Sequence, residues 1–247
     1  MLISALKSAF RRPKPAPDRA FVFCTAYFND AARYRRWIDY YRPRLDKMGV
    51  THLILIDDGS TALPDWTDLE IIRADDPLPH ALPPGVYLFT FRVHLGRSST
   101  SRYPGWWRSF LFSWKIADTY GFARIVHLES DFYVLSETMF RFIRETQTGW
   151  TAPWCRAYDF PETAFQIIGT DALDALGKFY RLGEDFFVHH DRYAEFTLPF
   201  THVEKGFVGD RFGENVVRER WGGLPAGLDY VANATADFIE PYLLANP

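Results

Sequence analysis

The chain has 247 residues, a formal net charge of -3 at pH 7 and aromatic side chains at 17% of its positions. That length is sufficient for one large α/β domain. The basic residues beyond position 15 are dispersed, which argues against a nucleic-acid-binding protein, because such proteins normally carry a basic face. No stretch has the roughly 20 apolar residues that a bilayer-spanning helix needs, and the start of the chain lacks the apolar core and cleavage site of a signal peptide.

The two cysteines, Cys24 and Cys155, lie far apart in apolar or aromatic surroundings. This spacing forms neither a metal-binding knuckle nor a disulfide framework. Because structural disulfides belong to oxidising compartments, the sequence predicts a protein of the cytoplasm.

Residues 1–14, MLISALKSAFRRPK, form the first distinct segment. Its apolar residues recur at helical spacing, with basic residues beside and after them: Leu2, Ile3, Leu6 and Phe10, then Lys7, Arg11, Arg12 and Lys14. The pattern predicts a short amphipathic helix, either one that lies on the inner face of the membrane or one that packs locally. The prolines that follow predict a stiff spacer, so we expect a segment 1–19 and a single domain 20–247.

A strand, a helix and a second strand open the domain. Residues 21–27 are an apolar run, residues 31–48 carry apolar side chains at spacings of three and four, and residues 51–56 are again apolar. Such a unit predicts two parallel neighbouring strands. The second strand runs into Asp57-Asp58-Gly59-Ser60, which is typical either of a turn or of a ligand site at a strand end.

The next part of the chain predicts strands at 69–73 and 89–93, and then a polar loop from His94 to Gly105. Arg97 in this loop is a candidate for contacting phosphate oxygens, although the loop is equally typical of a solvated connection. An aromatic-rich helix is expected from about residue 106 to 120.

A second acidic strand end lies within residues 124–136, RIVHLESDFYVLS. Its apolar run stops at Glu129-Ser130-Asp131 and then resumes. An unpaired carboxylate is costly inside a buried strand, so the two acids are expected where the strand leaves the sheet. Open α/β sheets bind ligands at these carboxyl ends.

Three stretches together resemble the GT-A glycosyltransferases, and in particular their family 2 branch: CTAYFND (24–30), LILIDDGS (53–60) and RIVHLESDFYVLS (124–136). The last stretch is similar to the DXD segment of these enzymes, with Glu129 at the position of the first Asp. The resemblance implies an α/β fold with an open, Rossmann-like, mostly parallel central sheet flanked by helices. It covers residues 20–145, which would be the nucleotide-sugar-binding half.

The resemblance also implies roles for individual residues. Thr25, Ala26 and Tyr27 would border the nucleotide base, and Asp57 would accept a hydrogen bond from a uracil-like base, with Asp58 and Gly59 in the same pocket. Asp131 would be the direct ligand of Mn²⁺ or Mg²⁺, while Glu129, beside Ser130, would contact the ribose or a metal-bound water. Such ions combine one or two carboxylates with the phosphates of a substrate.

The second half, residues 146–247, is expected to supply the acceptor site. Glu184 and Asp185 resemble the acidic pair of family 2 enzymes, so Asp185 is the candidate general base, although a surface pair at a helix start has the same pattern. Alternatives for the base are Glu204 and Asp210. His202 is the candidate third metal ligand, and Lys205 or Arg211 the candidate diphosphate contact.

Together with the resemblance, these features predict a metal-dependent, hexosyltransferase-type glycosyltransferase with a nucleotide-sugar donor. The role that the resemblance implies for Asp57 favours a UDP-sugar. A glycan, polysaccharide or lipid-linked acceptor is expected, such as a bacterial cell-surface glycan. Two alternatives stay open. One is a nucleotidyltransferase, although CTAYFND lacks a Gly-rich phosphate loop, and the other is a catalytically silent binding module of the same fold. The sequence leaves open whether the anomeric configuration is inverted or retained.

Overall fold

The structure is a computed structural model that describes residues 16–245. The predicted amphipathic segment 1–14 lies outside the described residues. The first half contains β1 (Ala16–Ala26), α1 (Ala31–Tyr41), α2 (Leu45–Met48), β2 (His52–Asp57), β3 (Glu70–Arg73), β4 (Gly85–Thr90), α3 (Pro104–Tyr120), β5 (Phe122–Leu128), β6 (Tyr133–Val134) and α4 (Glu137–Glu145).

The second half contains shorter elements: β7 (Trp150–Cys155), β8 (Phe160–Pro161), β9 (Phe165–Ile168), α5 (Leu173–Arg181), α6 (Glu184–His189), β10 (His202–Glu204), β11 (Gly209–Asp210), α7 (Asn215–Arg220), β12 (Tyr230–Val231) and α8 (Ala236–Ala245). None of the helices between residues 16 and 245 combines the length and the apolar character that crossing a membrane requires.

The central sheet has the strand order β10-β7-β9-β5-β1-β2-β4-β3, and β8 pairs with β7. β1 is parallel to both β2 and β5, and β4 is parallel to β2 and β3, whereas β9 runs antiparallel between β5 and β7. The predicted α/β fold with an open, mostly parallel sheet is therefore confirmed. β2 lies on one side of β1, and β5, which follows later in the chain, lies on the other side. The topological switch point of the sheet is therefore at the carboxyl end of β1.

Helices cover both faces of this sheet, as predicted. Alternate residues of each buried strand point to opposite faces. In β1, Val22 and Cys24 pack into a core with α1 and α4, while Phe21 and Phe23 pack into a second core with α3 and α5. All four side chains are fully buried.

Two predicted elements are corrected. The single helix expected over residues 31–48 is divided by a 3₁₀ turn at Arg42–Arg44 that contains Pro43, because proline has no N–H for the helical hydrogen bond. Gly49 ends α2 with φ 64°. The strand expected at residues 89–93 instead spans Gly85–Thr90 and stops where Thr90 pairs with Asp57, the last residue of β2.

A small second sheet continues the acidic strand end. Its strand order is β11-β12-β6, in which β12 is parallel to β11 and antiparallel to β6. β6 is the apolar run that resumes after Asp131. This sheet fixes the direction in which the chain leaves the end of β5.

Candidate active site

A cavity of about 380 Å³ opens at the carboxyl ends of β1, β2 and β5, and we call it the strand-end cavity. Its lining includes seven of the residues that the sequence predicted for donor binding: Thr25, Ala26, Tyr27, Asp58, Arg97, Glu129 and Ser130. The predicted convergence of two acidic strand ends on one site is thus present. The two acidic strand ends converge because parallel strands have their carboxyl ends at the same edge of the sheet.

Asp57 does not line this cavity, although it was predicted to contact the base. Its carboxylate is fully buried and accepts hydrogen bonds from the backbone N–H groups of Gly59 (3.0 Å) and Ser60 (2.8 Å), and from the hydroxyls of Ser60 (2.5 Å) and Thr90 (2.7 Å). Gly59 has φ 79°, and a side chain there would collide with the Val93 carbonyl. Both residues therefore build the turn in this structure, and their contact with a nucleotide stays a prediction.

Asp58 is the acid of this strand end that faces the cavity. Its Oδ2 accepts hydrogen bonds from the backbone N–H groups of Leu95 (3.2 Å) and Gly96 (2.7 Å), and its Oδ1 pairs with Arg108. Burial raises its pKa, against the opposing effects of Gly96 and Arg108. The carboxylate packs so tightly against α3 that a Cβ at Gly105 would overlap it.

An aromatic pair forms one wall of the strand-end cavity. The rings of Tyr27 and His94 stack with their centroids 4.1 Å apart at 25°, and His94 Nδ1 lies 3.0 Å from Asp58 Oδ2. The Arg97 guanidinium lies over the Tyr103 ring at 4.6 Å and donates to the carbonyls of its own loop. The wall therefore combines flat ring faces with a cation.

Glu129 lies where three elements meet. Its Oε1 accepts hydrogen bonds from Thr25 Oγ1 (2.7 Å) and Trp106 Nε1 (2.6 Å), and lies 3.0 Å from His127 Nε2. Burial alone would raise the pKa of Glu129, but His127, Thr25 and Trp106 outweigh it and hold the pKa below its usual value. The side chain is thus kept negatively charged and is 17% exposed.

Asp131 is held differently. Its Oδ2 pairs with Arg33 Nη2 at 2.9 Å, and a quarter of its side chain is exposed. Burial raises its pKa, Arg33 lowers it and Glu129 raises it further. Arg33 lines the strand-end cavity, and its Nε is buried with no hydrogen-bond partner among the described residues. The Arg33 side chain as a whole is 40% exposed, so the outer part of its guanidinium is open to an additional anionic group.

The predicted three-ligand metal site is not assembled. Between residues 16 and 245, no group of three or more His, Cys, Asp or Glu side chains is placed to hold a metal ion. His202 lies on β10, three strands away from β5, or about 14 Å at the usual strand spacing. Its Nε2 lies 3.2 Å from Glu204 Oε2. Asp131, however, suits a Mg²⁺ or Mn²⁺ ion that takes most of its ligands from a diphosphate and water.

The predicted general bases are not brought to the cavity. Glu184 and Asp185 are exposed at the start of α6, and Glu204 on the edge strand accepts the Gly206 N–H at 2.6 Å. Asp210 is buried and accepts bonds that include Ala157 N (2.9 Å) and Trp221 Nε1 (2.8 Å). Lys205 lies over the Trp154 ring.

Arg211, a predicted diphosphate contact, lies at a further cavity of about 210 Å³ whose lining also includes Arg33, Trp106, Glu129, Asp131 and Glu162. Arg211 pairs with buried Glu162 at 2.6 Å and lies 3.4 Å from Glu195 Oε1. Three residues of this cavity, Trp106, Glu162 and Thr163, were not predicted. The sequence places Trp106 only near the start of a helix. The adjacent Glu162 and Thr163 stood in a short connection without periodicity, so no pattern marked them.

Comparison with known proteins gives structural similarity alone. A scan against protein-family models gives no match, and a search of the curated proteins gives none either. Among solved structures, the chain is similar to a glycosyltransferase involved in glycosylation of the major capsid of PBCV-1, with a TM-score of 0.47 and 11% identity over 90% of this chain and 95% of that one.

Two further similar structures are enzymes of the same general class. One is the mannosyltransferase PcManGT from Pyrobaculum calidifontis in complex with GDP-Man and Mn²⁺, with a TM-score of 0.39 and 13% identity over 72% of this chain and 51% of that one. The other is GlyE of Streptococcus pneumoniae TIGR4, with a TM-score of 0.45 and 13% identity over 90% of this chain and 55% of that one. The chain spans about half the length of these two proteins, and all three are described as glycosyltransferases.

Proposed function

We propose that this protein is a glycosyltransferase that moves a sugar from a nucleoside diphosphate donor, in the first instance a UDP-sugar, to a glycan or lipid-linked acceptor. The observation that carries the proposal is the strand-end cavity itself. It joins a stacked aromatic wall, a buried carboxylate and two arginines at the switch point of an open α/β sheet, where such sheets bind nucleotides.

The base is assigned to the part of the cavity beside Tyr27, His94 and Asp58. The stacked rings supply a flat surface for it, and Asp58 Oδ1, which pairs with Arg108, has a second lone pair for an N–H such as that of uracil. Asp58 is proposed for the role that the resemblance implied for Asp57. The proposal is supported by the position of Asp58 in the lining of the cavity, whereas Asp57 is fully buried outside it.

The diphosphate is assigned to the part of the site between Arg97, Arg33 and Asp131. Guanidinium groups bind phosphate oxygens through paired hydrogen bonds, and the Arg33 side chain is 40% exposed beside Asp131. Asp131 would hold a Mn²⁺ or Mg²⁺ ion with Glu129 as an outer partner. When bound, such an ion neutralises the charge that grows on the β-phosphate as the sugar leaves.

The test is a calorimetric titration of UDP, GDP, CDP and ADP into the protein, with Mn²⁺ and again with EDTA. We expect one nucleotide to bind, with at least a tenfold loss of affinity in EDTA and a comparable loss in Asp131→Asn. Asp65→Asn, which alters an exposed carboxylate outside these cavities, is the matched control and should bind as the wild type does.

The same titration can overturn the proposal. If none of the four nucleotides binds with either addition, the strand-end cavity is not a donor site. If one binds but no nucleotide sugar carrying it is turned over or hydrolysed, the silent binding module replaces the enzyme.

A further inference from the structure

A second cavity of about 500 Å³ lies beside the strand-end cavity. Its walls are mainly aromatic, and we call it the aromatic groove: Tyr103, Trp106, Tyr158, Phe160, Tyr193 and Phe196. On one side Tyr158 and Phe160 stack at 5.7 Å and 9°, and Phe196 meets Phe160 edge-on at 6.1 Å. Phe196 is 58% exposed and Tyr193 is 43% exposed, so both present open ring surface at the rim.

The aromatic groove is continuous with the acidic strand end. Trp106 lines the strand-end cavity, the small cavity at Asp131 and the aromatic groove. Its indole N–H is bonded to Glu129, so the ring position is fixed. A ligand in the groove therefore lies next to whatever is bound between Arg33 and Asp131.

The groove contains one carboxylate, Glu195, whose side chain is 12% exposed. Thr163 Oγ1 donates to its Oε1 at 3.0 Å, and Arg211 Nη2 lies 3.4 Å from the same atom. Both of these contacts are made to Oε1, and the side chain lines the groove. Burial raises the pKa of Glu195 and the charge of Glu162 raises it further, while Arg211 and Thr163 oppose the change.

We propose that the aromatic groove binds a pyranose ring of the acceptor and that Glu195 is the general base for its attacking hydroxyl. This rests on the proposed transferase function and applies to an inverting reaction. The hydroxyl oxygen bonds to the anomeric carbon of the donor sugar while its proton passes to Glu195. The bond from that carbon to the β-phosphate oxygen breaks, and the nucleoside diphosphate leaves with the electron pair.

The side chains of the groove match the chemistry of a sugar ring. A pyranose has a C–H face that packs against aromatic rings and a rim of hydroxyls that need hydrogen-bond partners. The Tyr158–Phe160 pair supplies the flat surface, and Glu195, Thr163 and Arg211 supply donors and acceptors beside it. A purely apolar ligand, such as an alkyl chain, would leave these polar side chains without hydrogen-bond partners, at a cost in binding free energy.

The binding step is tested by saturation-transfer NMR with a panel of methyl α- and β-pyranosides, measured with and without the nucleotide that binds. We expect saturation of at least one pyranoside, with the signal reduced at least fivefold in Phe160→Ala. Phe207→Ala is the matched control, since Phe207 is half-buried against Phe142 and lines none of these three cavities. Its signal should equal that of the wild type.

No saturation of any pyranoside, or an unchanged signal in Phe160→Ala, would overturn the groove assignment. If a dodecyl chain, added as a further probe, shows saturation while the pyranosides show none, the occupant is a lipid and the groove assignment is likewise overturned. Pyranoside binding without any nucleotide binding would instead sink the proposed transferase and leave a glycan-binding groove, so the two failures are distinguishable.

The base is tested with Glu195→Gln, by following nucleoside diphosphate release from nucleotide sugars in the presence of the bound pyranoside. General base catalysis contributes about 10² to 10⁴ in rate, so we expect a loss of kcat of that size, with nucleotide and pyranoside affinities within threefold. Glu145→Gln, an exposed change on α4, should retain the wild-type rate. A Glu195→Gln rate within fivefold of the wild type, or no release from any nucleotide sugar by the wild type, would refute the role of Glu195.

Discussion

The two acidic strand ends are held by different kinds of donor. At the end of β2, Asp57 accepts hydrogen bonds from the turn that follows it and from Thr90 on the adjacent strand β4. At the end of β5, Glu129 accepts hydrogen bonds from Thr25 on β1 and Trp106 on α3, and it pairs with His127. In both places the second acid meets a cation at the edge of a cavity. Asp58 pairs with Arg108 and Asp131 pairs with Arg33.

The comparison shows that donors of the fold hold acids at both strand ends. Asp57 is fully buried outside the strand-end cavity, whereas Asp58 lines it although it also accepts two backbone N–H groups and pairs with Arg108. Glu129 and Asp131 are 17% and 25% exposed. The position of an acid in its motif is therefore a weaker guide to ligand contact than its exposure at the cavity.

The sharpest test of this comparison sets Asp57→Ala against Asp58→Asn. Asp57→Ala leaves two buried N–H groups and two buried hydroxyls without their acceptor, so we expect a loss of about 3–5 kcal/mol in the free energy of unfolding, measured with urea. Asp58→Asn keeps the size of the side chain but removes the charge that pairs with Arg108, so we expect a smaller loss of stability than in Asp57→Ala together with a loss of nucleotide affinity. Equal losses of stability in the two variants would show that both acids are structural.

Glu129→Gln tests the other strand end through its pH dependence. The lowered pKa of Glu129 means that its stabilising effect is present above the usual glutamate pKa of about 4.3 and is lost as the pH falls through the lower folded value. We expect the variant to be less stable than the wild type by about 2–3 kcal/mol at pH 7, as for hydrogen bonds to a charged group. The difference should shrink in acid.

Urea unfolding at several pH values measures this difference, with exposed Glu145→Gln as the control. A stability difference that is constant from pH 7 to acid would mean that the charge of Glu129 contributes nothing and that only its shape matters.

The smallest expected effect is that of Gly105→Ala, which probes how closely Asp58 packs. The new Cβ would overlap the Asp58 carboxylate, so we expect a loss of about 1–3 kcal/mol in stability, typical of overpacking, together with weaker nucleotide binding. Gly85→Ala, whose Cβ would meet only the Tyr87 ring at 3.2 Å, is the control. If Gly105→Ala binds the nucleotide as tightly as the wild type, Asp58 is not part of the donor site.

The sequence predicted the parallel βαβ core and both acidic strand ends, because long apolar runs that stop at polar residues carry that information locally. It did not predict which acids line the cavity, since this depends on contacts such as that of Trp106 with Glu129, 23 residues away in the chain. It also missed Glu162 and Glu195. These two acids lie in short segments of the second half, where the packing of Arg211 and Thr163 brings them together.

The position of Trp106 links the three cavities. Its indole lines all of them and donates a hydrogen bond to Glu129. A smaller side chain at this position would therefore widen the opening between the cavities and at the same time remove a hydrogen bond from an acidic strand end. One substitution would change the shape and the electrostatics of the site together.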